Sequence, residues 1–273
     1  MNLRRSWTLG FVVLAGAFGG ACQPQPHRAL TTGQREAIQT RVTATFASAV
    51  FFKPVDAGSE LPLEVRLAPL IIQQVTQTNA AALGQDQFDL PNAPLQVQAE
   101  SGVTILNNRS HKQFTYIWTY PAGTPPISLA RMVQGVRLTL NAADAPVIWE
   151  VLTNSSGGEI IYVAESLELA AGAQFGPPAP GRKFSIEREL PEAPNVVVAN
   201  VIADGPLPMG PIVYLSSGAR DVNALICRCM PAQTGTLLGQ KDYQLEHADP
   251  AAGQGCRFAP AQLERRLRLP RGF

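Results

Sequence analysis

Cysteines are the residues of this chain whose type and spacing could do chemistry, and there are four of them. Cys227 and Cys229 lie one residue apart in the stretch LICRCMP, and Cys256 follows 27 residues after Cys229. Cysteines can form a disulfide, bind soft metal ions or act as a redox pair. The stretch reads as the end of a strand, which predicts that Leu225 and both thiols share one face.

A structural disulfide is the preferred interpretation of these cysteines, because an exported protein meets oxidising conditions. Pairing Cys256 with either Cys227 or Cys229 would close a loop of about thirty residues and stabilise the fold by about 3–4 kcal/mol. A bond between Cys227 and Cys229 is disfavoured, since side chains two apart on a strand diverge from disulfide geometry. If Cys22 is modified, one of the remaining three thiols has no partner.

A soft-metal site is the alternative for the same residues. Cys227, Cys229, Cys256 and His247 offer thiolate and imidazole donors that suit Cu(I) or Zn. No second CxxC and no HxxxH supplies further ligands, and a CxC by itself is a weak signal. We therefore expect no cofactor.

Common catalytic and nucleotide-binding motifs do not occur in the mature sequence, which holds no GxSxG, HExxH, Walker-type or GxGxxG pattern. Whether the chain is an enzyme stays uncertain, and a non-enzymatic role is preferred. A hydrolase built on scattered carboxylates is kept as an alternative, although Glu187 and Glu189 read as solvated side chains.

Residues 1–21 have the anatomy of a secretory signal peptide. Arg4 and Arg5 precede the apolar run Trp7–Phe18, which is too short to span a bilayer, and small residues lead to Cys22. A cysteine directly after such a run resembles the lipobox of bacterial lipoproteins. Ordinary cleavage after Ala17 or Ala21 is the alternative.

The resemblance to lipoproteins implies that Cys22 is acylated and anchors the chain to a membrane. Residues 22–30 then form a flexible tether. The expected location is the bacterial cell envelope, facing the periplasm or the cell surface. Without acylation the protein would be periplasmic or secreted. An envelope protein is the expected partner.

Composition points to a folded, turn-rich protein. Charged residues make up 16% of the chain, against about 25% in an average domain, while Gly and Pro each number 23. A net charge of +1 gives no general attraction to nucleic acid. A cluster of arginines near the C-terminus reads as a solvated helix face: Arg265, Arg266, Arg268 and Arg271.

Hydrophobic periodicity predicts one helix followed by strands. Apolar residues at three- and four-residue steps predict an amphipathic helix over Thr31–Val50, which Lys53 and Pro54 would end. Alternation from Leu95 onwards predicts two short strands around a turn at Ser101–Gly102. Further along, Ser166–Ala173 predicts a short helix. Strands are predicted at Phe184–Leu190, Asn195–Ala203, Pro211–Ser216 and Val222–Met230.

The stretch QFTYIWTY places four aromatic residues on one face of a strand: Phe114, Tyr116, Trp118 and Tyr120. Because the other face is mainly polar, the aromatic face is interpreted as the buried one. A platform on which a cell-wall glycan stacks is the alternative.

Residues 135–165 predict a β-meander with a defined register. If Asn141 pairs with Pro146, three cross-strand apolar pairs form on one face: Val136–Val151, Leu138–Trp149 and Leu140–Val147. The same register places Arg137 opposite Glu150 as an ion pair on the sheet surface. Continued through the next turn, it pairs Val151 with Ile161 and Trp149 with Val163.

These elements predict an α+β fold, mostly antiparallel β in meanders and hairpins with one N-terminal amphipathic helix. An all-β sandwich with peripheral helices is the alternative. Residues 31–273 would form one globular domain, or two subdomains of residues 31–125 and 126–273. The expected function is a non-enzymatic binding or assembly component of the envelope. The alternatives are a thiol or soft-metal protein and a glycan-binding module.

Overall fold

The structure, a computed structural model, describes ten stretches of the chain. These are residues 49–55, 61–74, 96–119, 133–152, 160–189, 198–205, 209–215, 222–229, 240–247 and 263–273. All of them belong to one compact unit, Thr43–Phe273. In these stretches no helix is long and apolar enough to cross a membrane.

Twelve strands and three helices occupy the described stretches. The strands are β1 (Ala49–Pro54), β2 (Leu70–Gln74), β3 (Gln96–Leu106), β4 (Arg109–Thr119), β5 (Val133–Leu140), β6 (Pro146–Val151), β7 (Ile160–Ala164), β8 (Val198–Ile202), β9 (Gly210–Leu215), β10 (Val222–Cys229), β11 (Gln240–Tyr243) and β12 (Leu245–His247). The helices are α1 (Leu63–Arg66), α2 (Glu165–Phe175) and α3 (Leu263–Arg266).

The strands form two mixed sheets, so the protein is mostly β with few helices. One sheet has five strands in the order β10-β9-β2-β1-β11, and the other has seven in the order β12-β3-β4-β5-β6-β7-β8. Four neighbouring pairs are parallel: β1–β11, β3–β12, β2–β9 and β7–β8. The prediction of a mostly antiparallel body missed these pairs. Parallel neighbours need long connections, which local alternation does not encode.

Both sheets contribute to one hydrophobic cluster. The inner face of the seven-stranded sheet carries Phe114, Tyr116, Leu138, Trp149 and Tyr162, all buried. Burial raises the pKa of Tyr162, and a hydrogen bond to the backbone of Leu225 in β10 partly opposes that shift. This bond links the inner face to the five-stranded sheet.

Two further tyrosine hydroxyls connect the sheets to α1 and the segment after it. Tyr116 donates to the carbonyl of Glu64 at 2.6 Å, and Tyr243 donates to the carbonyl of Pro69 at 2.6 Å. Burial holds the pKa of Tyr243 well above its usual value. Burial likewise raises the pKa of Tyr116, with smaller contributions from Tyr243 and Glu64.

Polar residues line the outer face of the seven-stranded sheet, yet they are buried as well. Thr115, Arg137, Thr139 and Glu150 are each at most 9% exposed. Arg137 lies opposite Glu150 as predicted, with the guanidinium Nη1 3.8 Å from the carboxylate Oε1. The predicted ion pair is confirmed, but its predicted position on the sheet surface was wrong, because a polar strand face was taken to be a solvated one.

The first hairpin of the meander follows the predicted register at four positions: Val136–Val151, Arg137–Glu150, Leu138–Trp149 and Thr139–Ile148. The register then shifts after Thr139, so that Leu140 rather than Asn141 pairs with Pro146. This irregularity moves Val147 out of its predicted pair.

The second hairpin is shifted by one residue from the prediction. Trp149 pairs with Tyr162 instead of Val163, and Val151 pairs with Ile160. All six residues of β6 are buried, and β7 is apolar throughout. Because β7 is apolar on both faces, alternation in β7 carries no information on register.

The hairpin of β3 and β4 is longer than predicted. No turn occurs at Ser101–Gly102, because β3 continues through both residues. The chain turns instead at Asn107 and Asn108, whose φ angles are 49° and 60°. Positive φ at both positions is what a two-residue type I′ turn requires, and Asn adopts it more readily than most residues.

Strand β1 replaces the end of the predicted N-terminal helix. Residues 31–48 lie outside the described stretches, but Ala49 and Val50 belong to a strand that continues to Pro54. That strand pairs with β2 and β11, and such pairing overrides local helical periodicity. The leader, Cys22 and the tether also lie outside the described stretches.

Helix α2 confirms the helix predicted from Ser166, whereas residues 184–189 form no regular strand and make one isolated bridge, Glu187 to Leu267. Strands β8, β9 and β10 confirm the strands predicted nearby. Both sheets take strands from either side of residue 125, so they do not divide there. The segment of β11 and β12, where no pattern was recognised, contributes one edge strand to each sheet.

Candidate binding groove

Helix α2 forms one wall of an open groove. Its buried residues Leu167 and Ala171 are one turn apart and face the core. Asp204, which follows β8, caps the first turn of the helix. Its carboxylate accepts hydrogen bonds from the backbone N–H of Ser166 at 2.7 Å and from the hydroxyl of Ser166 at 2.9 Å. Gly176 ends the helix with a φ of 79°, a conformation that glycine adopts without strain.

Residues 270–273 form the opposite wall, and the turn of the β3–β4 hairpin holds them. The side-chain Nδ2 of Asn107 donates to the carbonyls of Leu269 and Pro270 at 3.1 and 2.9 Å. Arg109 donates to the carbonyl of Gly272 at 2.9 Å. These bonds place the backbone of this wall without using its apolar side chains.

Phe273 completes that wall by stacking on His111. The ring centroids are 4.4 Å apart and the planes differ by 17°. His111 is buried, and its Nδ1 lies 3.0 Å from the carbonyl of Leu140, so Nδ1 carries the proton and donates. The other ring nitrogen, Nε2, is buried with no hydrogen-bond partner in the described stretches.

The α2 groove, as we call this space, has a volume of about 570 Å³. Helix α2 contributes Ser166, Leu167, Ala170, Ala173 and Gln174 to its lining. These residues recur at steps of three and four, so they form one stripe along the helix.

The remaining lining comes from the β5–β6 hairpin and the opposite wall: Asn141, Val147, Pro270, Gly272 and Phe273. Val147 is 3% exposed and lies at the floor. No side chain of the described lining is charged. The groove can therefore hold a ligand mainly by burying apolar surface.

Amide side chains stand at the rim with their orientation fixed. The Oδ1 of Asn141 accepts the backbone N–H groups of Ala143 and Ala145 at 2.9 and 3.1 Å. The Oε1 of Gln174 accepts the N–H of Arg271 at 2.8 Å. With both oxygens engaged, the Nδ2 and Nε2 groups remain as donors that have no acceptor in the described protein.

A buried carboxylate supports the loop that follows α2. Glu187 accepts the backbone N–H groups of Lys183, Phe184 and Val198 at 2.9, 2.9 and 3.2 Å, and its residue is 2% exposed. The interpretation of Glu187 as a solvated side chain was therefore wrong. Its partners are backbone groups, which a sequence does not reveal.

Glu168 and Arg268 also form hydrogen bonds with this loop. Glu168 accepts the backbone N–H groups of Ser185 and Ile186 at 2.7 and 3.0 Å. Arg268 donates to the carbonyl of Ser185, and its guanidinium lies 5.4 Å from the ring centre of Phe175. Arg268 is thus a structural residue and not part of a solvated helix face.

The cysteine stretch lies at the end of β10, opposite the start of β9. Cys227 pairs with Pro211 and Cys229 pairs with Gly210, with a register shift between the two pairs. Strict alternation, on which the prediction of a shared face depended, is interrupted there. The side chains of both cysteines lie outside the description, as do Cys22 and Cys256.

His247, the proposed fourth metal ligand, lies on the edge strand β12. Its side chain is 70% exposed, and its Nδ1 is 3.4 Å from the Oε1 of Glu64. Among the described residues, no three His, Cys, Asp or Glu side chains lie close enough to hold a metal ion.

Three of the four aromatic residues proposed as a glycan platform are buried. Phe114 is 7% exposed, and Tyr116 and Trp118 are fully buried. Their rings cannot stack on a sugar in this conformation, and they belong to the inner core instead. Tyr120 lies outside the described stretches.

Comparison with known proteins gives no match. No family model, no curated protein and no solved structure is significantly similar to this chain.

Sequence reasoning missed the residues that build the groove. Asn107 had one recognisable signal, because two adjacent asparagines between alternating segments are typical of a type I′ hairpin turn. Asn141 and Gln174 had none, since their hydrogen-bond partners become neighbours only in the fold.

Proposed function

We propose that this chain is an exported, lipid-anchored component of a bacterial cell envelope that binds another envelope molecule without transforming it. Residues 1–21 have the composition of a secretory signal, and Cys22 follows them directly, which supports acylation at Cys22. An anchored binding domain would act at the membrane surface, where its ligands and partners are.

The α2 groove is the observation that carries the binding role. Its volume of about 570 Å³ falls within the range of natural ligand sites. Both walls are fixed by hydrogen bonds from distant parts of the chain, namely Asp204 on Ser166 and Asn107 on Pro270. A preformed site loses little free energy to ordering when a ligand binds.

Blocking the groove tests this role. Ala170→Trp places a large ring in the groove, whereas Leu169→Trp adds the same ring at a neighbouring position that is 66% exposed and outside the lining. Each immobilised protein is exposed to detergent-solubilised envelope extract, and retained molecules are identified by mass spectrometry.

We expect one set of molecules to be retained by the natural protein and by Leu169→Trp but lost with Ala170→Trp. Equal retention by both variants would contradict a binding role for the groove. Chemical conversion of the retained molecule by the purified protein would contradict the non-enzymatic role.

The anchor has its own test. Cys22→Ser removes the only group that could be acylated at this position, so we expect the protein to move from the membrane fraction to the soluble fraction. Membrane association that survives the substitution would show that Cys22 is not the anchor.

We also propose that Cys256 forms a disulfide with Cys227 or Cys229. Alkylation before and after reduction, read as intact mass, counts the free thiols. One free thiol among these three supports the disulfide, whereas three free thiols with a bound metal ion would favour the soft-metal alternative.

A further inference from the structure

We infer that the α2 groove takes an uncharged acyl ester, that is, a molecule with an aliphatic chain and a carbonyl oxygen. This inference rests on the binding role proposed above and names the class of ligand.

The shape of the groove suits an elongated aliphatic chain. Leu167, Ala170 and Ala173 recur along one side of α2, and Val147 lies beneath them. From Ser166 to Gln174 the helix rises about 12 Å. The small alanine side chains leave a trough along this length, in which methylene groups are shielded from water.

The electrostatics of the groove favour a neutral ligand. None of its described lining side chains carries a charge. A carboxylate group entering the groove would lose hydration and find no cationic side chain in the lining to replace it.

The hydrogen-bonding groups of the rim favour an acceptor on the ligand. Asn141 and Gln174, both in the lining, use their side-chain oxygens on the protein backbone, so their amide N–H groups are left as donors. Ser166 donates its hydroxyl hydrogen to Asp204. An ester carbonyl can accept from the amide N–H groups of Asn141 and Gln174.

Binding of simple probes tests the inference. Monodecanoylglycerol supplies the chain and a neutral ester, and decanoate supplies a similar chain with a charged end. Calorimetric titration of the folded protein below the micelle concentration measures both affinities. We expect the ester to bind at one site and decanoate to bind at least about tenfold more weakly.

Gln174→Glu sharpens the test, because it keeps an oxygen for the N–H of Arg271 and replaces the amide donor with a charged acceptor that would repel an ester carbonyl. We expect this variant to bind the ester about tenfold more weakly. Gln98→Glu makes the same chemical change on β3, outside the groove lining, and should bind like the natural protein. Ala170→Trp should abolish ester binding and Leu169→Trp should preserve it.

The outcomes separate this inference from the binding role. Equal affinity for ester and decanoate, or ester binding unaffected by Ala170→Trp, would overturn the acyl-ester assignment. If the natural protein ignores the ester while Ala170→Trp still loses its envelope ligand, the assignment is wrong and the binding role stands. If Ala170→Trp changes neither the binding of the ester nor the retention of envelope molecules, the acyl-ester assignment and the binding role of the groove are both wrong.

Discussion

The two faces of the seven-stranded sheet are both buried, but different forces hold them. Leu138 and Thr139 are neighbours on β5, point to opposite faces and are both fully buried. Leu138 packs in the apolar inner face, while the Oγ1 of Thr139 accepts a hydrogen bond from Gln113 at 2.9 Å on the outer face. The inner face gains stability from apolar burial, and the outer face must satisfy each polar group it buries.

One substitution on each face gives the largest expected difference in the free energy of unfolding. Leu138→Ala should lower the free energy of unfolding by about 3–4 kcal/mol, because it removes buried methyl groups and leaves a cavity. Thr139→Val keeps the volume and loses one hydrogen bond, at a cost of about 1 kcal/mol. Urea unfolding measures both. If Thr139→Val and Leu138→Ala lower the free energy of unfolding equally, packing does not distinguish the two faces.

The ion pair of the outer face provides the next contrast. Arg137→Met leaves the carboxylate of Glu150 buried without this partner and should cost about 3 kcal/mol in the free energy of unfolding. Lys112→Met breaks an exposed pair with Asp144, whose side chains are 60% and 43% exposed, and should cost under about 1 kcal/mol. Urea unfolding of both variants makes the comparison.

The double variant Arg137→Met/Glu150→Leu checks the cause of that loss. It should recover most of the stability, because neither charge remains buried. If the double variant is as unstable as Arg137→Met, packing rather than the unpaired charge accounts for the loss.

The sequence could predict strands whose two faces differ in polarity, and little else. Alternation located β4, β5 and the register of the first hairpin, because Val136 and Leu138 are apolar while Arg137 between them is not. It failed for the register of β6 with β7, because β7 is apolar on both faces. It also misread the outer face, since polar residues such as Thr115 and Glu150 are buried.

The groove was less predictable than the fold. Its walls come from α2 and from residues 270–273, about a hundred positions later in the chain. Helix α2 was predicted from its own residues. No periodicity indicates that Asn107 binds the backbone at Pro270, because such a side-chain bond leaves no repeating pattern.

The buried tyrosines make the stability of the fold depend on pH in the alkaline range. Burial raises the pKa of Tyr116 and Tyr162 on the inner face, and of Tyr243 beside it. In the unfolded chain these groups ionise near pH 10, so the folded state binds more protons above that pH. Stability should be constant with respect to these groups below about pH 10 and fall as the pH rises further.

Absorbance of tyrosinate and far-ultraviolet circular dichroism, recorded together against pH, measure this effect. We expect the buried tyrosines to ionise only as the protein unfolds, and Tyr116→Phe to weaken the alkaline loss of stability. Ionisation of all tyrosines near pH 10 without unfolding would contradict the burial of the inner face.

The smallest effect concerns the turn that holds the groove wall. Asn107→Gly keeps the positive φ but removes the two side-chain bonds to Leu269 and Pro270, at a cost of about 1–2 kcal/mol in the free energy of unfolding. Asn108→Gly makes the same backbone change at the next position, where the side chain has no bond to any described residue, and should cost about 0.5 kcal/mol or less.

Because both substitutions add the same backbone freedom to the unfolded chain, their difference reports the bonds of Asn107 alone. Hydrogen exchange at the amide of Phe273, which donates to the carbonyl of Pro270, shows where that difference acts. Faster exchange in Asn107→Gly than in Asn108→Gly would place the loss in the groove wall. Equal exchange would mean that the outer face holds residues 270–273 through the stacking of Phe273 on His111, without help from the turn.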